Sequence, residues 1–264
     1  MDIPYSRWYA ALWRRRSRRH YDPKRNIESN ILESLDKACR DFKPFPSARS
    51  YLVNKPAADV FKGIVGSYGK VTGASAFIAF IGNMEDPGVY EQVGYTGEAI
   101  ILEATALGLN TCWVAGFFRP KTVASLIEIK DNERVLAVTP VGYARDSESF
   151  FEKAMTGFGL THRRHPVARL VSGQRAGYLP EWVKTPLEAA RIAPSAINRQ
   201  PWGFEVDDTG ITVYIRTGGT GFGVSKRIDC GIAMLHIEVA AMENDNEGKW
   251  EFLEGPRIAK YIPI

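Results

Sequence analysis

Apolar residues recur with helical spacing over Pro4 to Arg16 and again over Ile27 to Arg40, where Ile27, Ile31, Leu32 and Leu35 share one face. Pro44 and Pro46 close that segment, and a short extended piece follows at Tyr51 to Val53. Pro56 opens a helix to about Val65, since proline is tolerated in a first turn, where the N–H it lacks would have no intrahelical acceptor. Ser75 to Ile81 is rich in β-branched and aromatic residues and has the length of a buried strand. A long helix is then predicted from Val89 to Leu107, stopped by Gly108. Thr111 to Ala115 reads as a strand, Pro120 to Ile127 as a helix and Arg134 to Tyr143 as a strand. The same grammar returns in shortened form: a helix over Trp182 to Ala193, paired strands over Trp202 to Val206 and Ile211 to Ile215, a helix over Asp229 to Met242 and an extended Trp250 to Phe252.

Two echoes bear on organisation. Gly94 stands nineteen positions before Trp113, and Gly231 stands nineteen before Trp250; in that register Ile100, Leu102 and Ala104 align with Ile237, Val239 and Ala241. Pro46-Ser47-Ala48 and Pro194-Ser195-Ala196 each follow a helix and precede a strand. Two amphipathic units can look alike by chance, but the pair of echoes favours an ancient duplication. The halves are expected at residues 1–150 and 151–264, with the fusion inside the poorly periodic stretch from 145 to 175.

Length and composition narrow the class. The 264 residues suffice for a well-buried core, and 45% hydrophobic with 24% charged residues excludes wholesale disorder. No apolar stretch approaches the roughly 20 residues of a membrane span, so no membrane partner is expected. The amino terminus shows no apolar segment leading to a cleavage site, and a cytoplasmic location is expected. Cys39, Cys112 and Cys230 are odd in number and lack Cys-x-x-Cys spacing, so they read as buried thiols. The four histidines have no metal-ligand spacing, and no metal site is expected.

The net charge of +4 is concentrated in Arg14-Arg15-Arg16-Ser17-Arg18-Arg19-His20-Tyr21-Asp22-Pro23. Such a run can be a solvated helix end or a nucleic-acid patch. Here Trp8 and Trp13 precede it and Tyr21 and a turn pair end it, as in a segment anchored to a core. An ordered basic segment with a hydroxyl inside suits a phosphate, because arginine gives forked donors and serine a further one.

The run resembles the Arg-Arg-Ser-x-Arg-x-Tyr/Phe signature of FMN-dependent nitroreductases. Pro194-Ser195-Ala196-Ile197-Asn198-Arg199-Gln200-Pro201-Trp202 is similar to that family's Pro-Ser-x-x-Asn-x-Gln-Pro-Trp segment. Cys112 to Phe117 and Pro140 to Tyr143 add to the likeness, which covers most of the chain. The weak Phe45 to Arg49 occupies the place of the first half's Pro-Ser motif, and the second half has no Arg-Arg-Ser run. The pattern resembles the internally duplicated (putative TM nitroreductase) branch, in which one chain mimics the usual dimer. That resemblance implies an α+β fold: a mostly antiparallel central sheet flanked by helices, in two pseudo-symmetric halves, with one competent site at the seam and one decayed pseudo-site.

The same resemblance places Arg15, Arg16, Ser17 and Arg19 near the FMN phosphate and ribityl chain, with Arg164 as a further phosphate ligand. Lys70 would reach the N1 and O2 edge of the flavin, and Ser67 would touch the ring where an asparagine is common. Ala115 and Gly116 would offer backbone N–H groups toward N5; Pro194, Ser195, Ala196 and Asn198 would cover the opposite side. His162 stands where a lysine is usual. Gly218 to Gly223 has no following Lys-Ser/Thr and reads as a flexible turn or lid over the decayed site.

The implied activity is NAD(P)H-dependent, ping-pong reduction of nitroaromatics, quinones or related small-molecule acceptors, with no side chain needed as acid or base. The alternatives are a flavin-binding or storage protein without turnover, and an FMN enzyme of another reductive chemistry. A nucleic-acid partner is not expected, and a monomer is possible because one chain mimics a dimer.

Overall fold

The computed structural model describes residues 1–61, 70–145, 163–172, 179–216 and 223–264. The first half runs α1 (Tyr5–Arg14), α2 (Ser29–Asp41), β1 (Ala48–Val53), α3 (Ala58–Phe61), β2 (Ala76–Asn83), α4 (Val89–Ala106), β3 (Asn110–Thr111), α5 (Pro120–Ala124) and β4 (Glu133–Gly142). The second runs α6 (Val167–Leu170), β5 (Val171–Ser172), α7 (Glu181–Arg191), β6 (Trp202–Asp207), β7 (Gly210–Ile215), α8 (Lys226–Glu243), β8 (Gly248–Phe252) and β9 (Arg257–Pro263). The expected boundary between residues 150 and 151 lies outside the described residues, as does the end of the helix expected to reach Val65.

The fold is α+β, and the antiparallel pairing is divided between two sheets. One has the order β1-β2-β4-β3, the other β5-β6-β7-β9-β8. Apart from β5, which pairs parallel to β6, the second order repeats the first strand for strand. Each set has a helix before its first strand and a long helix between its second and third, so the two halves are pseudo-symmetric.

Most predicted elements recur with ends shifted by one to three residues. The strand expected over Thr111 to Ala115 is broken: Thr111 pairs with Val141 and Val114 with Val138, but between them the Cys112 N–H goes to the Thr139 hydroxyl at 3.0 Å. A side chain has replaced the ladder acceptor there. The strand β9 has no counterpart in the sequence-based expectations. It lies between β7 and β8 and buries Ile258, Ala259 and Tyr261.

The two long helices α4 and α8 lie against each other at the centre and are buried nearly all round, as helices without a solvent face must be. They cross where neither has a side chain. A Cβ on Gly94 would stand 2.1 Å from the Ile228 carbonyl oxygen, and one on Gly231 would stand 1.9 Å from that of Glu91. Each glycine therefore faces the residue three positions before the other, an isologous contact within a single chain. Arg227 clamps the crossing, donating through Nε to Glu91 at 2.7 Å.

The aromatic partners in the sequence echo have matching tasks. Trp113 Nε1 donates to buried Glu98 at 2.6 Å, and Trp250 Nε1 donates to Glu238 at 2.6 Å. Each glutamate also bonds across the seam: Glu98 with His236 at 3.0 Å, Glu238 with the Tyr95 hydroxyl at 2.6 Å. Burial raises the pKa of Glu238 and of Tyr95 above their ordinary values.

Gly231→Ala and Gly94→Ala should each cost about 3 kcal/mol, since the added methyl meets backbone, which cannot step aside. Gly108→Ala should cost about 1 kcal/mol, because its φ of +84° is strained for alanine but nothing lies within 4 Å. Urea unfolding of the three variants checks the ranking; equal losses would contradict the crossing described here.

Candidate functional site

The basic run is ordered because it is threaded between two other segments. α1 ends at Arg14, and Arg15 turns the chain into an extended stretch (φ −55°, ψ 127°). Ser17 then pairs in parallel with Thr111, and His20 with Thr72. Backbone bonds from Arg18 N to Thr111 O, Tyr21 N to Thr72 O and Thr72 N to Arg19 O, each 2.9 Å, fix the register. Tyr21 is fully buried, and its hydroxyl donates back to Arg18 O at 2.7 Å.

That threading distributes the arginines. Arg15 is only 7% exposed; its Nη1 donates to Ser17 Oγ at 3.5 Å, and its Nε lies 3.7 Å from Glu98 without a hydrogen-bond partner. Arg16 and Ser17 are exposed, and Arg16 steadies itself on the carbonyls of Trp13 and Arg15 at 2.9 and 2.8 Å. Arg19 is half-buried. Lys70 is exposed, two residues before the threonine that pairs with His20, so it flanks the run. Ala115 and Gly116 begin the bend that follows Val114, on the strand lying against Ser17. Ser67, His162 and residues 218–222 lie outside the described residues.

The second half meets the run through Arg164. This half-buried arginine donates to Asn198 Oδ1 and, through Nη2, to Ile192 O at 3.2 Å. Burial, and after it the charges of Arg15, Arg191 and Arg16, push its pKa down to about 10. Arg164 thus bonds the Pro-Ser turn at Asn198 while feeling the charges of Arg15 and Arg16, which stand more than 140 positions away in sequence.

The turn itself is tightly bonded. Pro194 is buried, and Ser195 opens a single 3-10 turn, Ala196–Asn198. Ser195 Oγ accepts from Gln200 N at 3.0 Å, and Gln200 Oε1 accepts from His165 N at 2.8 Å. Asn198 Nδ2 and Gln200 Nε2 both donate to Arg163 O at 3.0 Å. Ile197, Asn198 and Gln200 have φ of 50°, 56° and 45°, in the left-handed region that side chains avoid. Strain of this kind collects at functional sites.

Two contributors were not expected from sequence. Arg191 is among the charges acting on Arg164, yet in sequence it is an ordinary cation in the last turn of a helix. Asp229, in the first turn of α8, binds the Pro-Ser turn from beneath.

The mirror position in the other half differs. Phe252 stands 137 positions after Ala115, as Gly231 does after Gly94 and Trp250 after Trp113. The strand pairing agrees: Val114 pairs with Val138, and its counterpart Glu251 pairs with Lys260. Where the first half has a methyl group, the second has a ring packed edge-on to Phe45 at 5.4 Å, and Phe45 in turn contacts Tyr95 at 5.2 Å. Exposed Phe252 and half-buried Phe45 thus stand next to that strand.

Among the described residues no cluster of histidine, cysteine and carboxylate side chains could hold a metal ion, and no helix is long and apolar enough to cross a membrane. A search of the curated proteins finds no match. A solved structure from Thermotoga maritima MSB8, described as a putative nitroreductase, aligns with 97% of this chain and 93% of its own at a TM-score of 0.65 and 19% identity. A nitroreductase family protein from Clostridium difficile 630 covers 66% of this chain and 99% of its own (TM-score 0.46, 20% identity). A Bacteroides fragilis NCTC 9343 nitroreductase with bound FMN covers 53% and 90% (TM-score 0.41, 16% identity). The family described as Putative TM nitroreductase matches residues 8–241, and with that span, nearly the whole chain, this protein belongs to it.

Proposed function

We propose that the chain is an FMN-dependent oxidoreductase that takes electrons from NAD(P)H and passes them to small acceptors such as nitroaromatics or quinones. The observation that carries this reading is the unbalanced charge around Arg164. Arg15 lies 3.7 Å from Glu98 and Arg191 is paired with Glu188 at 2.5 Å; among the described residues Arg16 and Arg164 have no carboxylate partner. Among the described residues the guanidiniums of Arg15, Arg16, Arg164 and Arg191 face only the carboxylates of Glu98 and Glu188, a positive excess that suits a phosphate. Like charges held together in a half-buried site destabilise one another unless an anion joins them. The unpartnered Nε of Arg15 is a donor for which an anion would be the natural acceptor. Family membership points the same way, and the Bacteroides fragilis relative contains FMN.

In this reading Arg15, Arg16 and Arg164 bind the phosphate through charge-assisted hydrogen bonds, and Ser17 and Arg19 bind the adjoining ribityl chain. Lys70 supplies positive charge at the pyrimidine edge of the ring, and Ser67 adds a contact there. The backbone N–H groups of Ala115 and Gly116 orient the opposite edge, while Pro194, Ser195, Ala196 and Asn198 shield one side from water. FMN held there would supply hydride transfer between nicotinamide and acceptor, so the protein's contribution would be binding, orientation and electrostatics. Both walls of the site come from one polypeptide, so a monomer suffices, and the Phe45–Phe252 pair at the mirror position limits it to one flavin.

The purified protein should be yellow and release one FMN per chain on denaturation. Arg164→Ala should raise the FMN dissociation constant by about ten- to a hundredfold, the worth of a lost charge-assisted hydrogen bond. Isothermal titration with FMN checks both; a colourless protein that takes up no FMN refutes the cofactor. Anaerobic mixing with NADH or NADPH should bleach the bound flavin, and adding a quinone should restore its colour. A flavin that neither nucleotide bleaches refutes the electron donor while leaving the cofactor standing.

A further inference from the structure

The turn over residues 195–200 is braced internally by the bond from Gln200 N to Ser195 Oγ and anchored at one end by Gln200 to His165 N and Arg163 O, yet its strained middle lies at the surface. None of the residues in its 3-10 segment is buried, and three non-glycine residues have left-handed φ, one of them the β-branched Ile197. Left alone, such a backbone would relax, at a gain of about 1–3 kcal/mol per strained residue. The bonds to His165 and Arg163 engage Asn198 and Gln200, leaving Ala196 and Arg199 to be held from the other face.

Asp229 does so from below. Its side chain is 2% exposed, on the first turn of α8, one residue after the carbonyl that faces Gly94. Oδ1 accepts the Ala196 N–H at 3.0 Å, and Oδ2 accepts Arg199 Nε at 2.6 Å. Arg199 in turn donates through Nη2 to Val224 O at 3.0 Å, tying the turn to the entry of α8. A carboxylate this deeply buried is tolerated only when it is paired and hydrogen-bonded, and both partners here come from the turn. On the far side of the turn Asn198 accepts the Arg164 guanidinium.

We propose that Asp229 is a positioning residue that fixes the left-handed turn and thereby presents Asn198 to Arg164, so that the helix crossing at the seam sets the geometry of the anion site. The link to cofactor binding rests on the function proposed above; the hold on the turn does not. Arg15 and Arg16 act on Arg164 through their charge, and Asp229 acts on it through the turn.

The test uses the full chain and two readouts. In FMN-free protein, hydrogen exchange over residues 195–200 should speed up at least tenfold in Asp229→Asn, with an unchanged far-ultraviolet circular dichroism spectrum. The FMN dissociation constant, read by quenching of flavin fluorescence, should rise about ten- to a hundredfold, and the visible circular dichroism of FMN at saturation should change shape. Arg199→Gln, which breaks the same ion pair from the turn, should reproduce both effects and decides the matter if Asp229→Asn fails to fold. Exchange at the wild-type rate overturns the proposal, and so does faster exchange with FMN affinity and spectrum intact. Should the wild-type protein take up no FMN, the proposed function fails, and the exchange measurement still decides whether Asp229 holds the turn.

Discussion

Backbone can touch backbone between two helices only where neither bears a side chain, and Gly94 and Gly231 are those two places. Everything else in the structure follows from that crossing. It lets α4 and α8 approach until each helix end lies beneath the other, and it draws two four-strand units of identical order to either side. The buried glutamates then find partners across the seam as well as within their own half: Glu98 has Trp113 and His236, Glu238 has Trp250 and Tyr95. Polar bonds inside so dry an interface are costly to leave unmade, so they fix one relative placement of the halves and exclude others.

Placement of the halves is what creates the site. Arg15 leaves α1 beside Glu98, Asp229 leaves α8 beside the Ile228 contact, and Arg164 meets the consequences of both. The symmetry of the frame is not carried into its chemistry. One side of the seam has a methyl group at Ala115 and a crowd of guanidiniums; the other has Phe252, Phe45 and Tyr95 ring against ring. The two corresponding corners of the fold thus differ in chemistry, one bearing arginines and the other aromatic rings.

How much of this could be read from the sequence follows from what each feature depends on. The long helices and buried strands were legible because their periodicity is local. The seam was legible in part, because glycine and tryptophan recur at a fixed spacing that only a repeated geometry would maintain. The basic run and the Pro-Ser segment were legible as motifs, and only the family resemblance brought them together with Arg164 at one site, since contact between distant segments leaves no local pattern. Arg191 and Asp229 were invisible for the same reason: a cation in a helix's last turn and an acid in its first are ordinary complements of the helix dipole. The strand β9 was missed because its seven residues are irregularly patterned and derive their burial from neighbours on both sides. The break at Cys112 was missed because it depends on a hydroxyl on another strand.

The central claim is that the two ends of the chain gather their arginines around one phosphate. Its most direct test is a crystal structure of the protein grown with FMN. The account predicts a single flavin per chain, its phosphorus atom among the guanidiniums of Arg15, Arg16 and Arg164 and its ring between the 115–116 bend and the 194–198 turn. A phosphate bound away from those three arginines, or a second flavin seated at Phe45 and Phe252, would contradict it.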